Sequence, residues 1–138
     1  MPNILVKIPK DAFPTEHRAA LVKKLNDAAA AAEQIPDDPR KRSMCWVIID
    51  EVVPGSWTCG ASDMSVKLLP CLAVIYVPAG VLDGASQAMY VDLVHTAFKQ
   101  SLPETEQRPL ATSVILHHVA DGSWGANGAI WRLPDFAP

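Results

Sequence analysis

Apolar positions along this chain follow two periods, and the periods alternate. Residues 3–9 are mostly aliphatic or β-branched and close on Pro9, the pattern of a strand. From Pro14 to about Gln34 the spacing changes. Leu21, Val22, Leu25, Ala28, Ala29 and Ala32 recur at three- and four-residue steps, so they share one face of a helix. Pro14 suits the first helical turn, where its missing N–H has no partner to lose. Ile35-Pro36 ends the helix, because a residue before proline is driven out of the α region. Met44 to about Val53 returns to a strand pattern. The same order then runs again. Leu72–Pro78 reads as a strand and Asp83 as the N-cap of a second helix. Met89, Tyr90, Leu93, Val94, Ala97 and Phe98 form that helix's apolar face. Pro103 and Pro109 bracket a connection, and Ala111–Val119 is the last long strand.

The second order is a copy of the first. Val47-Ile48-Ile49 leads through Val52 to Gly55-Ser56-Trp57, and Val114-Ile115-Leu116 leads through Val119 to Gly122-Ser123-Trp124. Leu5-Val6-Lys7-Ile8-Pro9 likewise matches Val74-Ile75-Tyr76-Val77-Pro78 at a slightly different offset, so one connection differs in length. A duplication with an indel accounts for both matches. The units are about 1–61 and 70–138 of one 138-residue domain, and the join near Ala61–Pro70 is too short for a flexible linker.

A strand, a long helix and a second strand make a β-α-β unit with parallel strands and a right-handed crossover. Two units predict an α/β chain with one four-stranded sheet and two helices on one face. The opposite face still carries apolar residues, and oligomerisation is the simplest cover for it.

Composition narrows the function without naming it. About half of the residues are apolar and a fifth charged, enough for a core without disulfides. A formal net charge of −3 and no basic segment interleaved with aromatics argue against a nucleic-acid surface. The densest basic run, Arg40-Lys41-Arg42, follows Asp37-Asp38 and reads as a solvated loop. Cys45, Cys59 and Cys71 form no C-x-x-C pair, which excludes a zinc ribbon and suits buried thiols in a reducing compartment. No apolar run reaches the roughly 18 residues of a membrane span, and no signal-peptide pattern opens the chain, so the expected location is cytoplasmic.

Met1-Pro2, an apolar strand, a helix, then Val47-Ile48-Ile49-Asp50-Glu51 and Pro54-Gly55-Ser56-Trp57 resemble the 4-oxalocrotonate tautomerase pattern. The first 60 or so residues carry the resemblance directly and the rest through the repeat, as in fused members of the tautomerase superfamily. The resemblance implies an α+β tautomerase-like fold, a homotrimer of pseudo-dimeric subunits, active sites near subunit interfaces, a small-molecule substrate, and no cofactor or metal. It also implies that Pro2, exposed by removal of Met1, is the catalytic base. An α-amino group titrates at roughly 7.7–8, far below lysine, and burial lowers it further. Pro70 and Cys71, the matching positions of the second unit, lie inside the chain, so one base per subunit is expected.

The sequence departs from the family where it binds carboxylates. Ala12 or Phe13 stands at the first of the family's arginine positions and Trp46 at the second, with Ser113 the repeat counterpart of Trp46. A dicarboxylate needs fixed cations, so 4-oxalocrotonate itself is disfavoured. Lys10 lies near the first missing arginine. Arg132 follows the second Gly-rich loop and is the preferred replacement, the alternative being a surface arginine stacked on an aromatic. Trp57 and Trp124 align with the family's aromatic pocket residue; each lines a pocket or caps the core. Trp46 has the same two readings. His117 and His118 are adjacent on a strand and face opposite ways, so they do not chelate one metal; His117 is a candidate acid or water-orienting group. Asp50 and Glu51 are either water activators or solvated strand-end carboxylates.

Three functions follow. The first is proton transfer within a small enol, oxo acid or unsaturated carboxylate by the N-terminal proline. The second keeps that nitrogen protonated in a hydratase, dehalogenase or decarboxylase. The third is a non-catalytic trimeric binding or scaffold protein.

Overall fold

Alternating burial along the strands and helical stripes above them set the architecture. A computed structural model describes residues 1–63 and 65–137. The elements run β1 (Asn3–Pro9), α1 (Thr15–Glu33), α2 (Pro39–Arg42), β2 (Trp46–Val52), β3 (Thr58–Cys59), β4 (Ser62–Asp63), β5 (Leu69–Pro78), α3 (Gly84–Gln100), β6 (Leu110–Val119), β7 (Trp124–Ala126) and β8 (Ala129–Trp131), then a 3-10 turn over Leu133–Phe136. The four long strands form one sheet in the order β2-β1-β5-β6. Strands are parallel within each unit, β1 with β2 and β5 with β6, and antiparallel where the units meet, β1 with β5. The two-unit α/β sheet is the one the repeat predicts.

Ile4, Val6 and Ile8 of β1 and Cys71, Ala73, Ile75 and Val77 of β5 point under the helices and are fully or almost fully buried. Above them sit Leu21 and Leu25 of α1 and Tyr90, Val94 and Phe98 of α3, with Phe13 against Phe98 at 6.3 Å between ring centres. At roughly 25 cal/mol per Å² of apolar surface removed from water, this single layer is the main source of stability. Asp83 caps α3 as predicted: its carboxylate accepts from Ser86 N at 2.8 Å, and Ser86 Oγ returns the contact to Asp83 N. At the other end of α1, Gln34 adopts a left-handed conformation (φ 56°) and turns the chain out of the helix.

Three local expectations change. Arg40-Lys41-Arg42 is not a loop but part of α2, because the Asp38 carboxylate accepts from Arg40 N at 2.9 Å and Pro39 fits the first turn. The strand read from Leu72 starts at Leu69, with Leu69 N donating to the Pro109 carbonyl. Pro70 is tolerated there because β1 joins β5 only from Leu72 onward. Val22 and Met89, placed on the helical faces by their spacing, are instead more than a third exposed at the stripe edges. Residue 64, within the join, lies outside the described residues.

The sheet face away from the helices is open in the single chain. Leu5, Trp46, Ile48 and Ile115 are exposed on it, 60% in the case of Trp46.

Candidate functional site

The parallel pairing of β1 with β2 decides which residues meet at the chain's start. Asn3 pairs with Trp46, and Trp46 N donates to the Pro2 carbonyl at 3.0 Å, so Pro2 is pinned and buried at one end of the sheet. Antiparallel β5 brings Tyr76 opposite Asn3 at that same end, and β6 delivers the second Gly-rich segment there. That segment folds as the β7-β8 hairpin, in which Trp124 pairs with Trp131. Phe136 packs between the two indoles, 5.6 Å from Trp124 and 5.5 Å from Trp131.

Two clefts open beside this end, and Met1 lines both. One is walled by Asn3, Met44, Trp46, Trp124, Gly125, Ala126, Asn127 and Trp131. The other lies between the C-terminus of α1 and the terminal turn, with Glu33, Lys41, Trp131, Asp135 and Phe136 among its walls. Trp46 and Trp124 therefore share a cleft with Met1 and Asn3, the residues on either side of Pro2, while Pro2 itself lines neither cleft. Trp124 is nearly buried and Trp46 is exposed, so truncation should separate their roles. Trp124→Ala should cost about 3–5 kcal/mol of stability. Trp46→Ala should leave the melting curve within about 0.5 kcal/mol of wild type and instead weaken ligand binding at the cleft. Urea melts beside ligand titrations check both.

The other candidates lie elsewhere in the chain. Lys10 and Trp57 share a separate cleft with Pro70 and Arg108 at the far end of β1, about 20 Å away for a seven-residue strand. Arg108 is committed there, bridging Glu106 and donating to the Ser65 carbonyl at 2.6 Å. Arg132, the expected carboxylate binder, lines neither Pro2 cleft. Its guanidinium lies over Gly122 and meets Asp121 at 3.4 Å. His117 sits on the open face with its ring 5.1 Å from Tyr76, and Tyr76 in turn lines a shallow groove with Asn3 and Trp124. Asp50 pairs with Lys7 and Glu51 with Arg18.

The residues at this end that were not singled out from sequence as site residues include Asn3, Glu33, Lys41, Asn127 and Trp131. Glu33 closes α1, and its side chain is 1% exposed. Its Oε1 accepts from the Met1 ammonium at 3.2 Å and its Oε2 from the Tyr90 hydroxyl at 3.0 Å. Burial pushes the Glu33 carboxyl above its ordinary value, and the N-terminal charge and the Tyr90 hydroxyl pull it back. Burial, reinforced by Glu33, pushes the neighbouring Cys45 thiol up to about 12, which keeps it a protonated thiol and no nucleophile. The sequence held one signal for Glu33: it continues the stripe Leu21, Leu25, Ala29 at the next four-residue step.

A raised carboxyl has a definite consequence for stability. Above its ordinary value near 4.5 the unfolded chain releases this proton while the folded chain still holds it. The group's contribution is thus fully present below that value and lost as pH rises through the folded one. Urea melts of wild type against Glu33→Gln should show the wild type losing ground as pH rises above 4.5.

No family model matches the chain, and no curated protein matches it. Solved structures do. The fused 4-OT Q0, a symmetric trimer, superposes over 92% of this chain and 94% of its own with TM-score 0.73 at 20% identity. Pt0534, in a structure inactivated by 2-oxo-3-pentynoate, covers 93% and 94% with TM-score 0.73 at 13% identity. N1, a member of the cis-3-chloroacrylic acid dehalogenase family, covers 96% and 85% with TM-score 0.73 at 13% identity. At these identities the likeness is one of fold. The chain has the two-unit tautomerase-like fold, and its structural neighbours are members of the tautomerase superfamily.

Proposed function

We propose that this chain is a tautomerase-superfamily enzyme that moves a proton within a small enol or oxo acid, using the ring nitrogen of Pro2 once Met1 has been removed. The observation that carries the reading is the position of Pro2, buried at the head of β1 between Met1, which lines two aromatic-walled clefts, and Asn3, which lines one of them. An unprotonated ring nitrogen takes the enol hydroxyl proton. The carbon–carbon double bond then accepts a proton from the resulting ammonium, which leaves the ketone and regenerates the amine. Asn3 and Asn127 carry amide donors in the cleft, and such donors stabilise the charge that develops on the oxygen. Among the described residues no arginine lines either Pro2 cleft. The indole walls and one lysine suit a monocarboxylate or an aromatic enol better than a dicarboxylate.

The open apolar face supports a homotrimer, the state in which the fused 4-OT Q0 was solved. No helix among the described residues is long and apolar enough to cross a membrane.

Phenylenolpyruvate ketonisation tests the reading. The processed wild-type chain should accelerate it well beyond buffer. Absence of activity across a panel of monocarboxylate and aromatic enols would favour the scaffold. A second reading, in which the same nitrogen works as a protonated acid on an unsaturated or 3-oxo acid, draws support from the carboxylate of Glu33 at this end.

A further inference from the structure

The duplication builds the same kind of cleft twice. Because β1 and β5 run antiparallel, the start of each unit meets the Gly-Ser-Trp turn of the other. At one end of the sheet Met1 and Asn3 share a cleft with Trp124 of the second turn. At the opposite end Pro70 shares a cleft with Trp57 of the first turn. The backbone repeats at both ends. Lys10 N donates to the Val52 carbonyl at 2.9 Å, and Ala79 N donates to the Val119 carbonyl at 2.8 Å. Ser56 N donates to the Val53 carbonyl and Ser123 N to the Ala120 carbonyl, and Gly55 and Gly122 both turn the chain at φ 87°.

The side chains do not repeat, and their differences set what the Pro70 cleft can hold. The Pro70 nitrogen is tied up in the Leu69–Pro70 peptide bond, so this end lacks an α-amine. Lys10 stands where the second unit has Ala79, which gives this end an ammonium that the other lacks. Arg132 lays its guanidinium over Gly122, whereas at Gly55 no described residue beyond the chain neighbours comes within 4 Å of the corresponding point. The second turn is thus covered by the chain's own cation and the first is open. The Lys10 side chain is exposed, and its ammonium has no hydrogen bond or ion pair among the described residues. Arg108 meets Glu106 through Nε and Nη2, each at 2.8 Å, and the Ser65 carbonyl through Nη1. Two of its five N–H donors stay uncommitted, while Glu106 offsets its charge. No acid lines the cleft, so the uncompensated charge on its wall is that of Lys10. Val52, Val53, Pro54, Trp57 and Pro70 make the rest mostly apolar.

We propose that this cleft is a second binding site, for a small monocarboxylate with an aromatic or short apolar body. The carboxylate meets the Lys10 ammonium and the uncommitted Arg108 donors, and the body lies against the Trp57 indole and the proline rings. The site lacks the α-amine that the reaction proposed for the other end requires, so it holds its ligand without turnover. Binding here does not depend on the Pro2 reading, and the failure of either leaves the other standing.

Fluorine NMR of the full chain labelled with 5-fluorotryptophan tests the proposal, with Trp57→Phe assigning the Trp57 signal. Phenylacetate, an aromatic monocarboxylate with no enol to ketonise, is the probe, and phenylacetamide is its uncharged counterpart. Phenylacetate should move the Trp57 signal along a saturable curve. Lys10→Ala should weaken that binding about three- to fivefold, the usual worth of an exposed ion pair, and Lys10→Glu should abolish saturation. Both changes fall on an exposed side chain, so the fold should tolerate them. Trp46→Ala, at the other cleft, should leave the Trp57 curve unchanged. A Trp57 signal that does not saturate with phenylacetate overturns the proposal. So does a curve that phenylacetamide or the Lys10→Glu chain reproduces in full, or one that Trp46→Ala removes.

Discussion

The Pro2→Ala chain is expected to lose about 10²–10⁴-fold in kcat/KM for phenylenolpyruvate ketonisation, the usual contribution of a positioned acid–base group. Alanine still leaves an α-amine after Met1 is removed, so the loss measures geometry rather than the mere presence of a base. The pyrrolidine ring fixes φ and the direction of the lone pair, while an alanine amine rotates freely. Pro2 packs as a buried residue, and its carbonyl remains available to Trp46 N in the variant, so β1 should stay in register. Melting curves close to wild type beside a collapsed rate would place the defect in the chemistry. A Pro2→Ala chain with unchanged kcat/KM would reject Pro2 as the acting nitrogen.

The second large effect concerns assembly. If the proposed trimer forms through the open sheet face, Ile48→Asp should yield a monomer in light scattering, with the proposed activity falling at the same time. Ile48 lies mid-strand on the open face, 48% exposed in the single chain, and is flanked on that face by Leu5, its partner in β1. Closing that face in a trimer would bury one new carboxylate from each subunit. The effective penalty for each unpaired buried charge is several kcal/mol. Lys7 is the near cation on the face, and it is paired with Asp50. The folded subunit should tolerate the change, since substitutions at exposed positions usually stay within about 0.5 kcal/mol. A trimer that persists in Ile48→Asp would show that the subunits meet elsewhere.

Much of the fold was legible in the residues. The helical stripes, the strand alternation and the duplicated Gly-Ser-Trp turns specify two β-α-β units, and Asp83 announces its own helix. The sheet face that needs cover also follows from counting helices. The candidate site was only partly legible. Trp46 and Trp124 could be placed with Pro2 because parallel pairing puts the start of β2 beside the start of β1, and the antiparallel join brings the end of β6 there too. The distance of Lys10 from Pro2 within the chain follows on the same ground, since a seven-residue strand separates them. The pairing of Arg132 with Asp121 does not, because it depends on how the β7-β8 hairpin closes. Glu33 was hidden by the general rule that an acid near a helix end faces water. Its pairing with Tyr90 joins elements of opposite halves, and no local pattern records such a contact. Trp131 and Lys41 reach the clefts through β8 and α2, two short elements of three and four residues in which no periodicity can show.

The most direct test is to identify the atom that reacts at the end of β1. After incubation with 2-oxo-3-pentynoate, the probe that inactivated Pt0534, the N-terminal peptide should begin at Pro2, carry one equivalent of label on the ring nitrogen, and come from protein that has lost its activity in proportion. Full labelling of some other side chain, or an unmodified Pro2 in fully inactivated protein, would contradict the account.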